Sequence, residues 1–215
     1  MQLFHAIAAI ALFGVPQSAL ADGCPRPTVD FSAKMVGSIQ GSEPISMGTM
    51  YHHGDKVRAE QAMTGLKVAT VFDYSKRTAV IIWETAKVYA MVPDIDRAKM
   101  DGPGIWRSCK FEAVGTEEIN GHATTKYRVL NAKQMGFKGH VWMTRHNIPI
   151  RFSGQVVVPP GAKRPQGEKS PSFAHDLTDL RLSKQPRKLF ELPKDYRKVT
   201  TAELMKLMSA APQAN

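Results

Sequence analysis

Cys24 and Cys109 are the only thiols in this 215-residue chain, and a thiolate is the most nucleophilic group that a protein side chain offers. A cysteine enzyme would need one of them free beside a base, whereas two cysteines in an oxidising compartment are most simply spent on each other. A metal centre would call for more thiols or for clustered histidines. His52-His53 is the one adjacent histidine pair, and neighbours along a strand point to opposite faces, so the two cannot readily share an ion. His140 and His146 are expected at neighbouring strand ends. Met47, Met50, Met63, Met91, Met100, Met135 and Met143 are spread along the chain, which suits a pliable apolar lining better than a copper site. Asp94 with Asp96 and Glu117 with Glu118 fall in a turn and a hairpin, where proximity alone makes no acid/base pair. There is no G-x-S-x-G elbow. These residues predict neither an enzyme nor a cofactor nor a metal.

The compartment is read from the first 21 residues. Ile7 to Val15 is an uncharged apolar run, Pro16-Gln17-Ser18 breaks it, and Ala19-Leu20-Ala21 supplies a small-x-small cleavage pattern. The run is far shorter than the roughly 20 residues of a membrane span. A cleavable signal peptide over 1–21, cut after Ala21, is therefore expected, although its leading segment lacks Lys and Arg. The alternative is the buried N-terminal helix of a cytosolic domain. Periplasmic export follows from the first reading. Cys24 stands near the site where an acylated cysteine would stand, but Ala21-Asp22-Gly23 before it is a poor match for acylation. A Cys24–Cys109 disulfide is the simpler expectation, and closing so long a loop stabilises by about 4–5 kcal/mol in the chain-entropy model.

With 29 Lys+Arg against 19 Asp+Glu the net charge is +10, and residues 1–21 contain none of these types. The exported part keeps the whole excess. Export turns that charge away from nucleic acid and toward acidic glycans, an acidic partner or the head groups of an anionic membrane surface. A merely solvated basic surface is the plain alternative.

Residues 22–215 then form one domain. Period-two alternation dominates it: Val29, Phe31, Ala33 and Met35 against Asp30, Ser32 and Lys34, with the same pattern in Ile45, Met47, Thr49 and Tyr51. Strands follow at 57–60, 66–72, 78–84, 87–92, 109–114, 124–130, 137–145, 148–158 and 175–182, with Asn120-Gly121 as a hairpin turn. Residues 93–100 read as a short helix, 159–172 as an exposed Pro/Gly-rich loop, and 201–210 as a C-terminal helix capped by Thr201. The fold class is mainly β with a few helices (α+β), a single antiparallel sheet of about ten strands.

The stretch Gly115-Thr-Glu-Glu-Ile-Asn-Gly-His-Ala-Thr-Thr-Lys-Tyr127 resembles a hairpin of the outer-membrane lipoprotein-sorting (LolA/LolB-like) superfamily. Gly139 to Thr144, Ile148-Pro-Ile-Arg-Phe152 and the Phe190-Glu-Leu-Pro-Lys-Asp-Tyr196 close are similar to later parts of the same proteins. The chain looks more like an uncharacterised branch than like the carrier itself. The early amphipathic helix of the carriers has no counterpart, and neither does the 159–172 insertion. The resemblance implies a curved half-barrel with helices over its concave face. The side chains expected to line a cavity there are Phe31, Met35, Met47, Tyr51, Leu66, Phe72, Trp83, Val88, Val141 and Met143. The functional expectation is an exported binder of a lipid, acyl chain or other hydrophobic ligand. The alternative is a module of the same fold, with a filled core, that binds another envelope protein.

Overall fold

A computed structural model of the chain describes residues 24–63, 66–92, 109–132, 136–157 and 170–210. The alternation read from the sequence becomes strand after strand. In β1 (Phe31–Ile39) the side chains of Phe31, Ala33 and Met35 are buried while Lys34 is exposed. The chain continues through β2 (Ile45–His53), β3 (Lys56–Met63), β4 (Leu66–Asp73), β5 (Thr78–Trp83) and β6 (Val88–Val92). After Cys109 come β7 (Phe111–Ile119), β8 (His122–Val129), β9 (Phe137–Thr144), β10 (Pro149–Val156) and β11 (Ser172–Arg181). A 3-10 turn (Arg187–Phe190), the short β12 (Arg197–Val199) and α1 (Thr201–Ser209) complete it.

All twelve strands belong to one sheet in the order β12-β6-β5-β4-β3-β2-β1-β11-β10-β9-β8-β7. Consecutive strands pair antiparallel within β1 to β6 and within β7 to β11. The exceptions are β1 with β11, which joins the two halves, and the parallel pairing of β12 with β6. The end strands β12 and β7 are not partners, so the sheet is open. Asn120 and Gly121 both take positive φ, 51° and 76°, as a tight hairpin turn requires.

The class is mainly β, as expected, with two corrections. There are twelve strands rather than about ten, because β12 is three residues long and leaves no periodicity to read. Among the described residues one α-helix is present, not several over a concave face. Its cap is Thr200, one residue before the expected Thr201, with Oγ1 accepting the Glu203 N–H at 3.1 Å. The signal peptide, the 93–100 helix, most of the 159–172 loop and the tail from 211 lie outside the described residues. The expected bond is present: Cys24 and Cys109 are joined across 85 residues with their Cα atoms 4.7 Å apart. They pack with Phe111, Val129, Phe137, Val141 and Met143.

Candidate functional site

Strand register assigns every side chain to one of two faces, since directly paired residues point the same way. One face, here face A, carries Phe31, Met35, Val57, Phe72, Leu66, Ile81, Trp83 and Val88 on one half, and Leu177, His175, Phe152, Val141, Met143 and Tyr127 on the other. Nine of the ten expected lining residues share it. Phe31 and Met35 sit in a cluster with Ile148, Ile150 and Leu177, against which Met47 and Phe72 pack. Val141 and Met143 belong to the disulfide-side cluster. Leu66, Trp83 and Val88 lie under Leu204, Leu207 and Met208 of α1.

Tyr51 is the exception. It pairs with Arg58 on the opposite face, face B, and packs with Val71, Ile82 and Phe190. The cause is a bulge. Register slips between Met35 and Val36 opposite Gly48, whose φ is +118°. A Cβ at Gly48 would collide with the Glu60 carbonyl, and one at Gly37 would overlap the Met47 sulphur. Met47 therefore lies over Gly37 on face A, while Tyr51, four residues on, has changed sides.

His175 stands out on face A. It is 6% exposed, its ring 5.8 Å from that of Phe152, and neither ring nitrogen has a hydrogen-bond partner among the described residues. Burial holds its pKa below the ordinary histidine range despite the nearby Asp176 charge. A neutral imidazole carries one donor and one acceptor, so two polar functions point unused into an apolar setting. The Trp83 indole N–H is likewise buried without a partner among the described residues. The other buried histidine, His52, is satisfied: its Nδ1 donates to the Val29 carbonyl at 3.0 Å and its ring stacks on Phe31.

Beside the Tyr51 cluster, face B carries polar groups that are tied down. Arg151 grips Asp176 with two bonds of 2.7 Å. Trp142 donates from Nε1 to Glu117 at 2.8 Å and has Lys126 4.8 Å from its ring. On the other half, Arg58 is 8% exposed and bonds Glu60, Glu84 and the Leu189 carbonyl.

One further cluster joins residues distant in sequence. His53 Nδ1 lies 2.6 Å from Asp30 Oδ2, and the Gly54 N–H reaches Oδ1 at 3.1 Å. Burial works against the Asp30 charge, but these bonds outweigh it and hold the carboxyl below its usual range. A shallow indentation beside it is lined by Val29, Asp30, Leu182, Ser183 and Lys184. The Ser183 hydroxyl accepts from Gln185, and no bond from it to His53 exists among the described residues. The pair acts as a clasp between the start of β1 and the β2–β3 turn. No group of three or more His, Cys, Asp or Glu side chains among the described residues could hold a metal. His140 lies within β9 and His146 in the turn after it, where it accepts from its neighbour Arg145.

The model of a family described as a domain of unknown function, DUF4412, matches residues 35–148, just over half of the chain. The protein belongs to the DUF4412 family. No curated protein sequence matches it. Among solved structures, this DUF4412 protein is similar to an uncharacterised conserved protein from Thermus thermophilus. Identity there is 13%, coverage is 80% of this chain and 90% of that one, and the TM-score is 0.51. The LolA superfamily protein NE2245 from Nitrosomonas europaea matches as well. That match has 11% identity, 78% and 92% coverage and a TM-score of 0.38. The Pseudomonas aeruginosa MucA/MucB complex also matches, at 11% identity, 82% and 60% coverage and a TM-score of 0.36. The DUF4412 match ends before β10, so His175 and the β1–β11 pairing lie beyond it.

His175 was legible in one respect. Phe173, His175 and Leu177 alternate, which puts a histidine in the apolar phase of a strand. The Asp30–His53 contact left no such signal, because 23 residues separate the partners.

Proposed function

We propose that this protein is an exported, periplasmic binder of a lipid or other hydrophobic ligand, held on face A. The observation that carries the reading is His175: a buried imidazole with both nitrogens unbonded, on the face that also carries nine of the expected lining residues. Buried polar atoms are nearly always partnered, and a site for an apolar molecule needs one or two polar groups to orient it. The ring of Phe152 lies beside it, and Phe137 and Phe173 extend that aromatic group. Asn120 in the β7–β8 turn donates to the Leu177 carbonyl at 3.0 Å. The Cys24–Cys109 bond supports an oxidising compartment. No described helix is long and apolar enough to cross a membrane.

The test is native mass spectrometry of protein taken from its own compartment, with uptake of a fluorescent fatty acid measured alongside. Bound lipid or saturable uptake is expected, weakened about tenfold in His175→Leu by loss of one polar contact. Absence of both signals in the wild-type protein would overturn the reading. The second reading, a partner-binding module with a filled core, is favoured by Phe31, Met35 and Val141, which are already 0–2% exposed. A stoichiometric envelope protein retained after delipidation would support it.

A further inference from the structure

One end of the sheet gathers apolar side chains that stand exposed among the described residues. Ile39 ends β1 and Ile45 begins β2, and they are 63% and 67% exposed. Val156 ends β10 and Leu130 follows β8, at 38% and 49%. Antiparallel pairing puts all four at the same end, because Gly37 pairs with Ile45, Ile39 with Phe173, and Val156 with Phe137. The strands concerned run β2-β1-β11-β10-β9-β8, five spacings or about 24 Å. Isolated exposed apolar residues are ordinary, whereas a row of them along one rim marks an interaction surface.

The rim is held in place. Ser42 N–H donates to the Ile39 carbonyl at 3.0 Å, the Ser42 hydroxyl accepts from Ile39 N–H at 3.2 Å, and Gln40 N–H reaches Ser172 on β11 at 2.8 Å. The two isoleucines thus flank an ordered turn rather than a frayed end. Among the described residues the unpaired charge at this end is mostly basic. Lys67 before Val68 in β4, Lys110 before β7 and Lys138 in β9 are exposed and form no ion pair among the described residues. Of the described carboxylates there, Glu84 is paired with Arg58, Glu112 with Arg128 and Asp195 with Lys87, while Glu43 stands in the β1–β2 turn. The protein as a whole carries +10.

We infer that this rim docks the protein on an anionic lipid bilayer, with Ile39 and Ile45 entering the head-group and acyl boundary and Lys110 and Lys138 resting on lipid phosphates. Apolar burial and attraction to acidic lipid act together in such binding, and neither suffices alone. A protein partner would be expected to supply carboxylates at fixed positions; the flexible lysines around an aliphatic row suit a fluid surface better. The inference does not depend on a ligand on face A.

The experiment is co-sedimentation of the exported chain with vesicles of 3:1 phosphatidylcholine and phosphatidylglycerol, and with phosphatidylcholine alone. Wild-type protein is expected to bind the anionic vesicles and to release at high salt. Ile39→Asp/Ile45→Asp is expected to lose binding at least tenfold with unchanged circular dichroism and unfolding midpoint. Lys110→Glu/Lys138→Glu should weaken it several-fold, and Lys76→Glu, in the β4–β5 turn at the other end, should not. Failure of the wild-type protein to bind anionic vesicles would overturn the inference. So would undiminished binding by the isoleucine variant, or an equal loss in the Lys76 variant, which would mark diffuse attraction without a docking rim. Fatty-acid uptake that persists in the isoleucine variant would leave the ligand reading untouched by any of these results.

Discussion

Arg58 on β3 reaches past β4 to place Nη2 2.7 Å from Oε1 of Glu84, the residue that follows β5. Its Nη1 donates to the Leu189 carbonyl at 3.1 Å and its Nε to Glu60 at 2.7 Å. One guanidinium therefore fastens the 3-10 turn, and with it Phe190, to face B. Replacing Arg58 by Met removes three charge-assisted bonds and leaves the Leu189 carbonyl without its donor. Chemical denaturation should report a loss of about 2–4 kcal/mol, and amide exchange should show the 187–190 turn opening first. A midpoint equal to wild type would show that the turn is held by Phe190 alone.

The disulfide closes a loop whose ends lie 85 residues apart. Cys24→Ser/Cys109→Ser should lower stability by about 4–5 kcal/mol if the chain-entropy account holds. Equilibrium unfolding of the variant beside the oxidised parent measures it. A loss under about 1 kcal/mol would mean that the unfolded chain is compact with or without the bond.

His52 and His175 both have pKa values pushed down by burial. In the unfolded chain each binds a proton below about pH 6.5, while in the folded protein each stays neutral to lower pH. The unfolded state thus takes up more protons in that window, and stability must fall as pH drops from about 6.5 toward the depressed values. Unfolding midpoints at pH 7.5 and 5.5 should differ, and His175→Leu should shrink the difference.

The same substitution should raise stability at pH 7.5 by about 1 kcal/mol, because it removes two buried polar atoms that lack partners. If His175 orients a ligand, gain of stability and loss of binding will appear together, the usual exchange at a functional site. Stability and fatty-acid uptake measured on one sample decide this. A less stable His175→Leu would mean that the imidazole is engaged in the folded protein after all.

Gly48 is required by its φ of +118° and by the Glu60 carbonyl beside it. Gly48→Ala should cost more than about 2 kcal/mol through strain and a shifted bulge. Thermal unfolding checks the cost, and the Tyr51 fluorescence environment checks the shift.

That bulge also explains what sequence alone could and could not deliver. Alternation located eleven of the strands, because a half-buried sheet writes its two faces into every second residue. It misplaced Tyr51, since one inserted residue at Gly48 reverses the phase, and a glycine inside the strand is its only mark in the sequence. It passed over β12, whose Arg197-Lys198-Val199 is too short to alternate. The Cys24–Cys109 link was legible because only two thiols were available. The Asp30–His53 clasp and the Arg58–Leu189 contact were not, because each arises from folding distant segments together. His175 lay in plain view between Phe173 and Leu177, but that its nitrogens go unused is a property of packing, not of spacing.

The bond between Cys24 and Cys109 makes residues 24–109 a covalent ring that contains all of β1 to β6. A protease that severs one peptide bond anywhere inside it leaves a single molecule of unchanged mass, apart from one added water. Such a nick would be silent on a non-reducing gel and would release two fragments only after reduction.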